Sequence, residues 1–328
     1  MKKENMAKET VGVILLNLGG PERLDDVRPF LYNLFSDRKI IRLGPWFMQK
    51  PVAWMIARRR APKSRKAYEL IGGGSPLADL TRQQGAALEK ELGAHGSFKV
   101  VMAMRYWQPF AREVLQEFAG AGITRIVALT LYPHYSKATT GSSLEDLYQE
   151  ASLLPSSFDI VEIPEWPDQP DYVCCLADTV ADGMKKFQGG DVQLVYSAHS
   201  LPVSFIEEGD PYLDHLKKTI NAVEALTGIT GRLCFQSRSG PVEWLAPSTP
   251  DTLQELADHG CKRVLMVPIS FVSDHVETLY EIDIQYRELA EEMGIELKRT
   301  ESLNIMPRFI AGLKNLVMAA VWQKKWCS

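Results

Sequence analysis

No stretch of this 328-residue chain approaches the roughly 18 uninterrupted apolar residues of a membrane-spanning helix, so no segment is expected to cross a bilayer. Cysteine is scarce and scattered. Cys174, Cys175, Cys234, Cys261 and Cys327 form no CxxC pair and no metal-finger spacing, which argues against a disulfide framework and against a structural zinc site. They read as reduced, mostly buried thiols. The GxGxxG fingerprint, the P-loop and the GxSxG elbow are all missing, which removes the usual signals of a dinucleotide enzyme, a nucleotide hydrolase and an α/β-hydrolase. A net charge of −4 leaves no electrostatic footprint of a nucleic-acid binder. The start, Met1-Lys2-Lys3-Glu4-Asn5, is polar and lacks the apolar core of a signal peptide, so a cytoplasmic protein is expected.

One absence is local. No acid occurs between Asp37 and Glu69, while Arg38, Lys39, Arg42, Lys50, Arg58, Arg59, Arg60, Lys63, Arg65 and Lys66 all fall there. Trp46, Phe47, Met48, Val52, Trp54, Met55 and Ile56 are interleaved with them. A solvated basic helix would explain the charges and leave the two tryptophans unexplained. A basic and aromatic mixture suits a membrane surface or an amphiphilic anion.

What the chain does contain is a regular alternation of apolar, β-rich runs with amphipathic stretches, the pattern of a doubly wound α/β protein. The runs predict strands at Val11 to Asn17, Lys99 to Met104, Arg125 to Leu131, Asp159 to Ile163, Val192 to Ser197, Arg232 to Gln236, Arg263 to Ile269 and Glu296 to Thr300. Helices are predicted at Pro170 to Phe187, Pro211 to Leu226, Thr249 to His259, Asp274 to Met293 and Pro307 to Lys325. That many strands point to two sheets, with the Pro-rich stretch from Pro164 to Pro170 marking the transition. Ligands of open parallel sheets bind beyond the carboxyl ends of the strands. Polar and aromatic residues gather there: Arg105-Tyr106-Trp107, Tyr132-Pro133-His134, Ala198-His199-Ser200, Ser237-Arg238-Ser239 and Ser273-Asp274-His275. A cleft between two sheets is the implied site.

Asp274, Glu277, Glu281, Gln285 and Glu288 recur at steps of three and four, which would line one face of an α-helix with like charge. Asp274 and Glu277 also fit a capping box, so helix capping competes with metal binding as the reason for these acids. His199 ends an apolar run and should stand at a strand tip. Imidazole and carboxylate together suit divalent iron, and the same pair could accept protons.

Five motifs, in order, resemble those of ferrochelatases, the enzymes that insert ferrous iron into a porphyrin. They are Leu16-Asn17-Leu18-Gly19-Gly20-Pro21-Glu22, Ile71-Gly72-Gly73-Gly74-Ser75-Pro76-Leu77, Ser197-Ala198-His199-Ser200-Leu201-Pro202, Gly209-Asp210-Pro211-Tyr212 and the run from Ser273 to Glu281. The resemblance extends from about Val11 to about Leu313. It implies a chelatase-like fold of two similar doubly wound domains, each a parallel four-stranded sheet flanked by helices, with a porphyrin cleft between them. The expected division is 1–175, with the basic lip at about 38–68 and completed by the C-terminal helix 306–328, and 176–305, which carries His199 and Glu277.

By that resemblance the chain is a lyase whose metal-site and proton-handling pair is His199 and Glu277, with Asp274, His275 and Glu281 as a supporting acidic path. Arg105, Tyr106, Tyr132, Trp244 and Phe271 would line the macrocycle pocket. Arg60, Lys63, Tyr68, Ser75 and Ser237 would hold its propionates. Fe(2+) is implied as substrate, and no tightly bound cofactor is expected. A cysteine of cluster-containing relatives is replaced by Lys137, and the tail Trp326-Cys327-Ser328 is not cysteine-rich, so no iron–sulfur cluster is expected. Gln285 stands where some relatives carry a further acid, and Leu18 where animal enzymes carry methionine.

The stretches from Leu131 to Ser136 and from Thr140 to Ser143 look like the protoporphyrin-using branch. Protoporphyrin IX is therefore the expected porphyrin and protohaem, the end of haem biosynthesis, the expected product. Transient contact with the inner face of the cell membrane or with protoporphyrinogen oxidase is the expected partnership, and nucleic acid is not. The alternatives are a coproporphyrin III ferrochelatase, a cobalt or nickel chelatase of the same fold, and a haem or porphyrin carrier without catalysis.

Overall fold

The computed structural model describes residues 9–238, 240 and 242–326; Met1 to Asn5, Ser239 and Cys327 lie outside the described residues. The strands are β1 (Val11–Asn17), β2 (Phe98–Met104), β3 (Arg125–Thr130), β4 (Asp159–Ile163), β5 (Gln193–His199), β6 (Gly231–Gln236), β7 (Arg263–Pro268) and β8 (Glu296–Arg299). They form two four-stranded sheets, ordered β2-β1-β3-β4 and β6-β5-β7-β8, and every pairing is parallel. The second sheet thus repeats the strand order of the first. Every residue of β1 is buried, because helices cover both faces of a parallel sheet and no alternation toward solvent is needed.

Parallel strands require crossovers, and helices supply them. The first crossover is long and holds the helices Val27–Ser36, Gln49–Leu70 and Leu77–Leu92. The acid-free segment therefore forms one side of the molecule, with Ala53, Ala57 and Tyr68 packed on Phe30, Leu31 and Phe35. The last helix, Pro307–Gln323, lies against β3, β4 and the helices Leu77–Leu92 and Pro170–Lys185. Its Phe309 ring stands 6.0 Å from that of Trp166, in the Pro-rich turn. One apolar core runs through the facing sides of both sheets, joining Val13 and Leu129 to Leu194 and Leu265, so the sheets are held in a fixed relation.

The two glycine clusters are a packing device. A Cβ on Gly74 would meet the Glu22 carbonyl oxygen, and one on Gly20 would stand 2.6 Å from Ser75 Oγ. The Ser75 amide donates to the Pro21 carbonyl at 2.7 Å. Close approach of the two turns explains the absent side chains at Gly20 and Gly74.

The expected α-helix from Asp274 to Met293 is a different object. Glu277–Tyr286 is a π-helix, and only Arg287–Glu292 is α-helical. The wider turn still brings Glu277, Glu281 and Gln285, four residues apart, to one cavity, while Asp274 and Glu288 fall outside it. Asp274 lies before the helix and is not capped by Glu277. Its amide donates to Asn304 Oδ1 at 3.0 Å, and its carboxylate accepts from Ser302, Asn304 and Thr278 at 2.7, 2.9 and 3.1 Å.

Candidate active site

The carboxyl ends of both sheets open onto one cleft made of two adjoining cavities, about 200 and about 470 Å³. Leu18, Leu34, Ile40, Leu77, His199, Trp244, His275 and Glu277 line both, so the cavities meet at the imidazole and the carboxylate. His199 is the last residue of β5. Its amide donates to Ser270 Oγ at 3.0 Å, and its carbonyl accepts from the Tyr212 hydroxyl at 3.1 Å, which fixes the backbone under the ring.

The His199 Nδ1 and Glu277 Oε2 are 2.9 Å apart. Burial works against both charges, but each favours the ionised form of the other, so the imidazole is raised and the Glu277 carboxyl is held well below the usual range. With Glu277 ionised, Nδ1 is the donor. Nε2 of the neutral ring is then a bare lone pair at the cleft, free to take a proton.

His275 donates from Nδ1 to the Ser273 carbonyl at 3.1 Å, and its Nε2 stands 3.7 Å from Glu277 Oε2 without a hydrogen bond. The Phe271 ring packs on it with centroids 4.1 Å apart. One turn along, Glu281 accepts from Ser237 Oγ at 2.5 Å and from Gln236 Nε2 at 3.2 Å. Burial and the negative charge of Glu277 push the Glu281 carboxyl up to about 7. Two neighbouring carboxyls therefore differ in proton affinity, and that difference separates a permanent anion from a group that can gain and lose protons near neutrality.

The structure brings most of the expected residues to this cleft. Arg60, Lys63, Tyr68, Ser75, Ser237 and Glu281 line the outer cavity, Tyr132 and Phe271 the inner one, and Trp244 both. Burial, with Glu277 nearby, pushes the Tyr68 phenol upward, so it stays a neutral donor. Three residues lie elsewhere. Asp274 faces Arg299, 3.1 Å away, instead of the cleft. Arg105 and Tyr106 turn into a separate cavity, where Asp37 Oδ2 takes Arg105 Nη2 at 3.0 Å and the Tyr106 hydroxyl at 2.8 Å. Asp146, 3.2 Å from Arg105 Nη1, completes the capture. A loop after a strand can turn either way, and here Asp37 decides.

Sequence reading missed Gln236, the last residue of β6. It accepts from Ser197 Oγ at 2.5 Å and donates to both the Glu277 carbonyl, at 3.0 Å, and Glu281. A buried amide ending an apolar strand was the available signal, one residue before the strand-tip positions considered above. Also unforeseen is a buried seam beside the inner cavity, where His134 Nε2 meets Thr219 Oγ1 at 2.8 Å and the Tyr135 amide donates to His215 Nδ1 at 3.1 Å. Isolated histidines in sequence carry no sign of such pairing.

The ferrochelatase family model matches residues 10–321. A ferrochelatase from Desulfotalea psychrophila is 60% identical over 307 residues, covering 94% of this chain and 96% of that one. The chain belongs to the ferrochelatase family. A ferrochelatase from Geotalea uraniireducens is 50% identical over 316 residues, covering 95% and 98% of the two chains. Among solved structures, SirB from Bacillus subtilis with Fe3+ superposes with a TM-score of 0.56 at 12% identity, covering 97% and 99% of the two chains, a likeness of fold. As a ferrochelatase the chain is a lyase of haem biosynthesis that takes ferrous iron as substrate and places it in a porphyrin.

Proposed function

We propose that the porphyrin is protoporphyrin IX, held in the cleft described above, and that His199 and Glu277 carry out its metallation. One observation carries the choice of porphyrin: no lysine or arginine lines the inner cavity among the described residues, while Arg60, Lys63 and Arg238 line the outer one. A ring with two propionates on one edge can set them among these cations and lay its vinyl edge against Leu131, Leu201, Phe205 and Val272. Coproporphyrin would carry two further carboxylates into that apolar chamber, at several kcal/mol for each unpaired ion. Anaerobic incubation with ferrous iron and each porphyrin tests this. The haem spectrum should form fastest with protoporphyrin IX, and equal or faster turnover of coproporphyrin III would defeat the choice.

Insertion replaces two pyrrole protons with one divalent ion, so the site needs a base, a proton exit and a metal donor. His199 Nε2 takes the protons, and the anionic Glu277 stabilises the imidazolium that results. Glu281, on the outer wall, passes them toward solvent. The same imidazole and carboxylate offer the nitrogen and oxygen donors that ferrous iron accepts in transit. A planar ring points its nitrogen lone pairs inward, so strain drawn from the binding of ring and propionates assists entry.

The proton state of Glu281 sets a pH dependence. Only its carboxylate can accept a proton, and the carboxylate gains population as pH rises through about 7. The insertion rate is expected to rise across that interval, where the raised His199 imidazole also gives up its proton, and Glu281→Gln to leave only the His199 limb while lowering the plateau about tenfold or more. A limb unchanged in the variant would exclude Glu281 from the route.

Two further readings follow. Lys137, which stands in place of a cluster cysteine, donates to the Glu208 carbonyl at 3.0 Å and pairs with its carboxylate at 3.6 Å, and its ammonium offers no thiolate to an iron–sulfur cluster. No helix among the described residues is long and apolar enough to cross a membrane, yet Trp46, Phe47 and Trp54 are 79%, 60% and 47% exposed. They stand on the basic segment beside the outer cavity, where they would dip into the inner face of a membrane that supplies a poorly soluble ring. Replacing all three by Ser is expected to abolish co-sedimentation with anionic vesicles, and unchanged co-sedimentation would sink the docking role. A handover from protoporphyrinogen oxidase would use the same face.

A further inference from the structure

His275, Glu277 and Glu281 lie on one stretch of chain that runs through the π-helix. Such helices pack less well than α-helices and persist as short pieces where their surroundings hold them. The hold comes from Arg299, at the end of β8, whose side chain is only 8% exposed. Its Nε and Nη2 donate to the two oxygens of Asp283, inside the π-helix, at 3.0 and 2.8 Å. Its Nη1 lies 3.1 Å from Asp274 Oδ1, in the turn before that helix, and reaches Ser302 Oγ at 3.1 Å. Asp274 is itself locked by Ser302, Asn304 and Thr278, so one guanidinium ties two fixed points with Glu277 and Glu281 between them.

We infer that Arg299 is a positioning residue for iron insertion: by bridging Asp274 and Asp283 it sets the course of the chain between them, and so aims Glu277 at His199 and Glu281 at Ser237. The inference rests on the proton-handling roles proposed above. Arg299 lines neither cavity of the cleft, so its effect passes through the segment it clamps. Lysine cannot replace it. A single ammonium lacks the planar fork that grips one carboxylate with two donors while a third reaches another. A displacement of about 1 Å at a reacting pair costs roughly a hundredfold in rate.

The experiment compares Arg299→Lys and the near-isosteric Asp283→Asn with the parent chain. Iron insertion is followed anaerobically, and porphyrin binding by fluorescence without iron. The expected result is a kcat about a hundredfold lower in Arg299→Lys and a smaller drop in Asp283→Asn, both with parental porphyrin Kd and far-UV circular dichroism. Unchanged kcat in both variants, or a loss of porphyrin affinity in step with rate, overturns the inference. His199→Ala in the same assay separates the two layers. If it keeps the parental rate, the proton-handling roles fail and the inference with them; if it loses rate while Arg299→Lys does not, the clamp alone fails.

Discussion

His199→Ala should lower kcat for ferrous insertion by about 10²–10⁴-fold, the range for loss of a positioned base, while porphyrin still binds. Two effects combine. The lone pair proposed to take the pyrrole protons is gone, and Glu277 loses the partner 2.9 Å away that holds its carboxyl low. Burial then raises the Glu277 carboxyl, with only His275 left to favour its anion, so the variant weakens the anion as well as removing the base. His199→Gln should not rescue the rate, since an amide accepts no proton near neutrality. Stopped-flow insertion beside fluorescence titration checks this. A variant with parental kcat would remove His199 from the chemistry. Loss of ring binding in proportion to rate would make His199 a wall of the pocket.

Arg105→Ala should act on stability instead. The substitution leaves Asp37, 8% exposed, and Asp146 without their guanidinium, and breaking a buried pair costs about 3–5 kcal/mol. A fall in Tm of roughly 5 °C follows for a chain of this size. At a temperature where the variant is folded, its KM for porphyrin should match the parent. An unchanged Tm with a raised KM would return Arg105 to the macrocycle pocket.

The pH dependence of this pair has a definite sign. Burial works against the Asp37 charge, but Ser142, the Lys39 amide, Tyr106 and Arg105 outweigh it, so the folded carboxyl is lowered. Its contribution is therefore complete above the unfolded value of about 3.9 and lost as pH falls through the lower folded value. The parent and Arg105→Ala should differ in stability across neutral pH and converge only in acid.

Much of this molecule was legible before folding, and for a physical reason. A central parallel strand buried on both faces is written as an unbroken apolar run, so β1 has the limits that its hydropathy implies. Strand tips are likewise readable in line, and His199, Tyr132, Phe271 and Ser237 reach the cleft from such tips. The helix after Ser273 was not readable, because the residues that hold Asp274 and Asp283, Asn304 and Arg299, come later in the chain. Arg105 was misjudged because Asp37 lies in another crossover altogether.

By itself the sequence determined the family, the strands, the basic and aromatic segment and the residue types that could bind a carboxylate-bearing ring and move protons. Those depend on local pattern and on motifs read in line. Only the tertiary structure decided which strand-tip residues share a cleft, that Glu277 faces His199 instead of capping a helix, and that Glu281 rather than Glu277 changes charge near neutrality. Proton affinity in a buried site is set by the depth of each group and its distance from other charges. Both are properties of chain segments far apart in sequence that meet only on folding.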